Sequence, residues 1–227
     1  MEDIIISRPM INDEWLEELS KQDVATVHEA MGQIGALTHE FRPIRNGMKM
    51  CGRALTVKCH SGDNIMLIKA ISMARPGDVV IADMGRITDN GPFGEVLAVD
   101  AVMHGVRGLV VNCGVRDSAA IAKMGFPVFS TGISVFGTSK ASKGTINHPI
   151  VIGNVLVNPG DIVLGDDDGV VIIPFVMAEK ALAAANARTA KEVKVMERLR
   201  KGESLFTIYG YQTQFDALGI TEEVTEQ

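Results

Sequence analysis

Glu95 and the adjacent pair Arg116-Asp117 stand twenty residues apart, and all three fall where a strand gives way to a helix. Two carboxylates and a guanidinium on one rim of a sheet can hold a divalent cation beside an anionic substrate. Asn64 begins a helix at a similar junction. Ligands of open α/β sheets gather outside the carboxyl ends of the strands, so neighbouring strands would bring Asn64, Glu95, Arg116 and Asp117 together. Such oxygen donors suit Mg²⁺ or Mn²⁺. Magnesium keeps several waters, so one or two carboxylates can bind it directly while other groups hold the waters. Arg116 offers a planar fork of donors to a carboxylate or an enolate oxygen. The run Gly91-Pro92-Phe93-Gly94 leads into the helix of Glu95, where the amides of Gly94, Glu95, Val96 and Leu97 form an anion site. Together these parts fit a 2-oxo acid whose enolate must be stabilised. An Arg-Asp pair also serves as a surface ion pair or cap, and a helix dipole favours Glu95 without any function, so spacing alone leaves both readings open.

The elements that must position these groups can be read from periodicity and breakers. Helices are expected over 13–22 and 23–32, the second capped by Asp23 and closed by Gly32. A strand at 52–59 and a helix at 64–74 come next. Strands at 78–82, 108–112 and 128–130 then alternate with helices at 93–104 and 118–124, a rhythm that favours parallel strands with right-handed crossovers. On the helix at 93–104, Val96, Leu97 and the residues from Val99 to Met103 are expected to pack. Residues 144–173 read as strand-rich. The turns Asn158-Pro159-Gly160-Asp161 and Asp166-Asp167-Asp168-Gly169 predict antiparallel hairpins there. An Ala-rich helical arm covers about 176–200, and the acidic tail 216–227 is expected to fray. The expectation is one α/β domain over 1–227, with a parallel βαβ portion, an antiparallel hairpin portion and a long C-terminal helix.

Composition narrows the function. A net charge of −6 without basic clusters argues against a nucleic-acid partner, and 5% aromatics against a base-stacking surface. No apolar run reaches membrane-spanning length, and no secretory signal accompanies the acidic Glu2 and Asp3, so a cytoplasmic protein is expected. Cys51, Cys59 and Cys113 lack C-x-x-C spacing and read as buried free thiols. The five histidines show no zinc-ligand pairing, and His60, before Ser61-Gly62-Asp63-Asn64, is the one best placed for substrate contact. No phosphate-binding glycine motif appears in a strand–helix context, so no nucleotide cofactor is expected.

The run Asp89-x-Gly91-x-x-Gly94-Glu95, then Gly105-x-x-Gly108, then Gly114-Val115-Arg116-Asp117 resembles the class II pyruvate aldolases. These act on 4-hydroxy-4-methyl-2-oxoglutarate and 4-carboxy-4-hydroxy-2-oxoadipate and share a fold with RraA-type regulators of ribonuclease E. The likeness extends over about residues 23–205. It implies an RraA-like layered sandwich in which Asp117 ligates Mg²⁺ or Mn²⁺. Glu95 and Asn64 would hold metal-bound waters, Arg116 would contact the pyruvyl oxygen, and the amides of Gly94, Glu95, Val96 and Leu97 would bind the carboxylate. A glutamate from a neighbouring subunit's C-terminal helix would complete the site, with Glu192 as its counterpart here. The same resemblance implies homotrimers or homohexamers. It also implies retro-aldol cleavage to pyruvate plus pyruvate or oxaloacetate, with oxaloacetate decarboxylation as a side activity. The family's usual setting is catabolism of aromatic acids. The rival readings are a dedicated oxaloacetate decarboxylase and a non-catalytic RraA-like regulator of ribonuclease E.

Overall fold

In a computed structural model of the chain, residues 2–85 and 89–221 are described. The outermost tail, 222–227, lies outside them, as do residues 86–88 of the glycine-rich loop. The chain divides into a unit over 1–185 and a smaller one over 186–227.

In the first unit, β2 (Met50–Lys58), β3 (Asp78–Asp83), β4 (Gly108–Val115) and β5 (Val128–Ile133) run parallel in the order 5-4-3-2. A two-residue strand, β1 (Arg42–Pro43), edges β5, and β6 (Thr145–Ile146) pairs with β2. On its other flank β2 meets β9 (Ile162–Asp166) antiparallel, and β10 (Gly169–Ile173) pairs beyond β9. The helices between the parallel strands are α3 (Ile65–Ser72), α4 (Glu95–Met103) and α5 (Ser118–Met124).

Alternation along each strand feeds two faces. Leu55, Val57, Val80, Ala82, Leu109 and Val111 pack with Leu67, Ala98, Ala101 and Ile121 of the helices. Ala54, Val79, Ile81, Val110 and Phe129 point the other way, onto the hairpin of β7 (Ile150–Ile152) and β8 (Val155–Val157). A third cluster seats α1 (Asp13–Ser20), α2 (Val24–Ala30) and Ala178, Ala181 and Ala185 of α6 (Ala178–Arg200) against β9 and β10. The fold is therefore the expected α/β sandwich, with parallel and antiparallel portions and a long C-terminal helix.

Three local expectations change. Asp23 stands at the N-cap of α2 but caps nothing with its side chain; the Val24 amide donates instead to Asp166 Oδ2 at 2.9 Å, and Asp23 pairs with Lys49. The Asn158–Asp161 turn closes no hairpin, because β8 pairs with β7 and β9 with β10. It joins two sheets, and Asp161 ties it down by accepting from the amides of Asn158 and Phe175. The β7–β8 hairpin is made by Gly153-Asn154, both at positive φ, which is the two-residue geometry that matches strand twist. Asp166-Asp167-Asp168-Gly169 does form the β9–β10 hairpin as expected.

The third change lies on α4. Ala98 and Ala101 are its buried positions, while Val96, Val99, Val102 and Met103 stay exposed, Val96 at 81%.

Cys51, Cys59 and Cys113 are buried free thiols, and burial pushes each up to about 12. Among the described residues no helix is long and apolar enough to cross a membrane. In the second unit, Arg198 grips Glu203 at 3.0 Å, Lys191 sits 5.4 Å over the Tyr209 ring, and Phe206 packs edge-on to Tyr211 and Phe215. This unit comprises the remainder of α6 with α7 (Leu205–Tyr209) and α8 (Gln212–Ala217).

Candidate functional site

The carboxyl ends of β3, β4 and β5 deliver three loops to one rim. Near its end β4 carries one extra residue against β5, between Val111 and Gly114. Such a bulge bends a strand and re-aims the residues beyond it, which here are Arg116 and Asp117. Asp117 then adopts the left-handed conformation, φ 53°, ψ 31°, as it hands the chain to α5. A non-glycine residue there carries strain, which clusters at functional positions.

Asp117 occupies the N-cap position of α5, yet its carboxylate does not cap α5. It crosses to α4 instead, where Oδ2 accepts the Glu95 amide at 3.1 Å. Of the amides expected to cradle an anion, that of Glu95 is therefore already engaged. Arg116 Nε lies 3.8 Å from the same oxygen, and the two side chains are half exposed. The Arg116 amide holds the Phe93 carbonyl at 2.9 Å, which docks the two junctions together. Glu95, Arg116 and Asp117 line one open cavity of about 680 Å³, with Ser134 and the exposed Ile133 and Val135 on its wall.

Asn64 stands at the start of α3 and is buried, and its Nδ2 donates to the Pro92 carbonyl at 2.7 Å. It thus fixes the loop that enters α4 without lining the cavity itself. Its Oδ1 is buried with no hydrogen-bond partner among the described residues. Glu192 belongs to the second unit, where it pairs with Arg188 at 2.9 Å. His60 is exposed and lies 3.0 Å from the Ser61 carbonyl; it is not among the residues lining the cavity.

Whether a divalent cation suits these groups is a question of donors. The cavity offers carboxylate oxygens from Glu95 and Asp117, and no thiolate or imidazole lines it. Among the described residues no cluster of three or more His, Cys, Asp or Glu side chains is poised as a metal cage. A hard cation that keeps most of its waters asks for no such cage. The residues fit.

Sequence reasoning missed the segment after β5. Gly91 donates its amide to Phe136 at 2.7 Å, Asn90 Nδ2 to Gly137 at 2.7 Å, and Asn64 its amide to Ser139 at 3.1 Å. Ile133, Ser134 and Val135, at the end of β5 and just beyond it, line the cavity wall. Their signal was available: Ser134, Gly137 and Ser139 come after a strand end, where ligands of parallel sheets collect.

Asp63 locks the next loop. Burial would raise its pKa, but hydrogen bonds from the Ala141 and Ile65 amides, the Ser139 hydroxyl and the Ser142 amide outweigh it and bring the carboxyl down to about 2 from 3.8. Asp63→Ala leaves these donors unmet and is expected to cost about 3 kcal/mol, read as a lower urea midpoint. Since the folded-state pKa is the lower one, this stabilisation is full above 3.8 and fades as pH falls toward about 2. The variant's stability should therefore be flatter than the parent's across that acid window.

Comparisons with known proteins bear on the family. A family model described as RraA-like, Aldolase/RraA, matches residues 24–172. A Halalkalibacterium halodurans protein, provisionally named a 4-hydroxy-4-methyl-2-oxoglutarate aldolase, is 33% identical over 166 residues, covering 73% of this chain and 79% of that one. An uncharacterised Pseudomonas syringae structure superposes with a TM-score of 0.78 at 24% identity, covering 88% of this chain and 95% of that one. Streptomyces coelicolor RraAS2, described as an unusual member of an RNase ES inhibitor family, gives 0.74 at 24% identity, covering 84% and 100%. At that identity the structures speak for the fold alone.

Proposed function

This chain belongs to the RraA-like aldolase/RraA family, and from that membership we propose that it is a divalent-metal-dependent pyruvate aldolase. Its substrates are 4-hydroxy-2-oxo dicarboxylates, with 4-hydroxy-4-methyl-2-oxoglutarate and 4-carboxy-4-hydroxy-2-oxoadipate the first to try. The observation that carries the reading is Asp117. Its backbone is held left-handed, and its carboxylate is turned away from its own helix into a cavity shared with Glu95 and Arg116. A surface that merely binds a protein partner has no use for that arrangement.

Asp117 would hold the cation directly, with Glu95 on its waters, while Asn64, off the cavity wall, would act by fixing the loop at Pro92. A cation bound there supplies Lewis-acid polarisation of the keto group and counter-charge for an enolate. The chain's own groups do the rest. Arg116 directs its guanidinium at the C2 oxygen and gains strength as negative charge collects there. The free amides at the start of α4 take the C1 carboxylate. A base removes the C4 hydroxyl proton and the C3–C4 bond breaks. Its electron pair passes into the enolate of pyruvate, C4 leaves as a carbonyl, and a proton returns to C3. Oxaloacetate yields the same enolate by losing CO₂, so slower decarboxylation is expected from one site.

The test is pyruvate release from 4-hydroxy-4-methyl-2-oxoglutarate, with Mg²⁺, with Mn²⁺ and with chelator. Cleavage that the chelator stops supports the reading. Turnover of oxaloacetate alone would make the protein a decarboxylase. Silence on every oxo acid, alongside tight binding to a ribonuclease E, would make it a regulator.

Self-association belongs to the same proposal, as a homotrimer or homohexamer in which Glu192 of a neighbouring copy completes the site. The exposed stripe Val96, Val99 and Met103 on α4 supports it, since it adjoins Glu95 and lacks an intramolecular cover in the first unit. Val99→Glu with Met103→Glu is expected to shift sedimentation to the monomer and to abolish most cleavage. A monomeric wild-type protein with full activity would refute the assembly.

A further inference from the structure

A second cavity, of about 520 Å³, opens between the first residues of the chain and α3, from Arg8 and Arg75 at the start of β3 to Ile4 and Asn147 beside β6. Its walls combine the apolar Ile4, Ile6 and Met73 with three cations, Arg8, Lys69 and Arg75, and no carboxylate is among its lining residues. Arg8 anchors there by pairing its Nη2 with Asp78, the first residue of β3. Its side chain is only 2% exposed, yet Nε and Nη1 have no hydrogen-bond partner among the described residues.

Asp78 Oδ2 takes Arg8 and the Arg75 amide, and its Oδ1, 3.8 Å from Arg53 Nε, is itself without a hydrogen-bond partner among the described residues. Asn147, also on the wall, is 4% exposed; its Nδ2 donates to the Ile5 carbonyl at 2.7 Å, and its Oδ1 has no partner among the described residues. Buried donors and acceptors are nearly always met, by protein, water or ligand. Here two donors of a guanidinium and one amide oxygen are unmet around the same hollow, beside two further cations that have no carboxylate on its wall.

We propose that this cavity binds an organic anion with a short apolar tail. A carboxylate or phosphate head would meet Arg8, Lys69 and Arg75, and the tail would lie against Ile4, Ile6 and Met73. Asn147 Oδ1, an acceptor, suits a hydroxyl on such a ligand rather than its head. The volume is in the range of small-ligand sites, and a mostly apolar wall with a few charged groups is their usual make-up. The inference is independent of the aldolase reading. The cavity shares no lining residue with that of Glu95, Arg116 and Asp117.

The experiment is calorimetric titration of the full-length protein with octanoate and with octyl phosphate, each against octan-1-ol and acetate as controls. One saturable site per chain is expected for one or both anions, and their ratio names the preferred head. Octanol and acetate, each lacking one half of the ligand, should bind about tenfold more weakly or worse. Lys69 and Arg75 are exposed, so the double variant Lys69→Gln/Arg75→Gln should keep the parent's urea midpoint while losing about tenfold in anion affinity. No saturable heat from either anion, octanol binding as tightly as octanoate, several molecules adsorbing per chain, or unchanged affinity in the double variant would each overturn the proposal.

Discussion

Asp117→Asn is expected to cut metal-dependent pyruvate release by roughly a thousandfold, the equivalent of about 4 kcal/mol of lost transition-state stabilisation. The substitution keeps the side chain's shape and its tolerance of the left-handed backbone, so thermal unfolding should barely move. It removes the charge that would hold a hard cation. Asp117→Gly sharpens the comparison. At φ 53° glycine relieves strain, which offsets loss of the hydrogen bond to Glu95. That variant should match or exceed the parent's melting temperature while losing as much activity. Inactivity without instability marks a residue kept for chemistry at a cost in stability. Turnover and Mg²⁺ affinity undiminished in Asp117→Asn would end the metal assignment.

Gly94→Ala should be nearly as damaging, for a steric reason. Gly94 has φ −145° and ψ −171°, a conformation alanine adopts freely. The added methyl, however, would press on Asp117 Oδ2 and sit 3.0 Å from Cγ and Nε of Arg116. These are side-chain rather than backbone atoms, so the main chain can stay while both side chains must swing aside. The expected outcome is a loss of about a hundredfold in kcat/KM from displaced groups, with stability within about 1 kcal/mol of the parent. Gly91→Ala is the informative contrast. Its methyl would run into the Ser134 carbonyl, which is backbone, so that variant should lose stability as well. Equal activity in Gly94→Ala and the parent would show that the two side chains need not hold their observed positions.

Much of this architecture could be read from residue order. The strand–helix rhythm over 78–130 gave parallel strands because buried runs such as Val79-Val80-Ile81 are covered on both faces. The junctions of Glu95 and Arg116-Asp117 came with it, since crossovers of this kind put every strand's carboxyl end on one rim. What escaped were relations that no local pattern encodes. Apolar residues on α4 announce burial but not by what, and here the first unit leaves Val96 and Met103 uncovered. Asp23 has the chemistry of a cap, but Asp166 from a distant hairpin reached the Val24 amide instead. Asn158-Pro159-Gly160-Asp161 has the chemistry of a hairpin, yet a turn motif says that the chain reverses, not which strands pair afterwards. The Asp117 carboxylate reaching α4 rather than α5 is a further case, visible only once both junctions share a rim.

The buried sulfurs give the molecule a use its chemistry never asked for. Cys51 packs under α1 and α2, whereas Cys59 and Cys113 lie on the side of α3, α4 and α5. At neutral pH none presents a thiolate, so an alkylating reagent can mark them only in moments when the surrounding layer lifts. Peptide-by-peptide tagging would therefore time separately the lifting of two groups of helices that cover one face of the sheet, α1 and α2 over Cys51 and α3 to α5 over Cys59 and Cys113, with no engineered label.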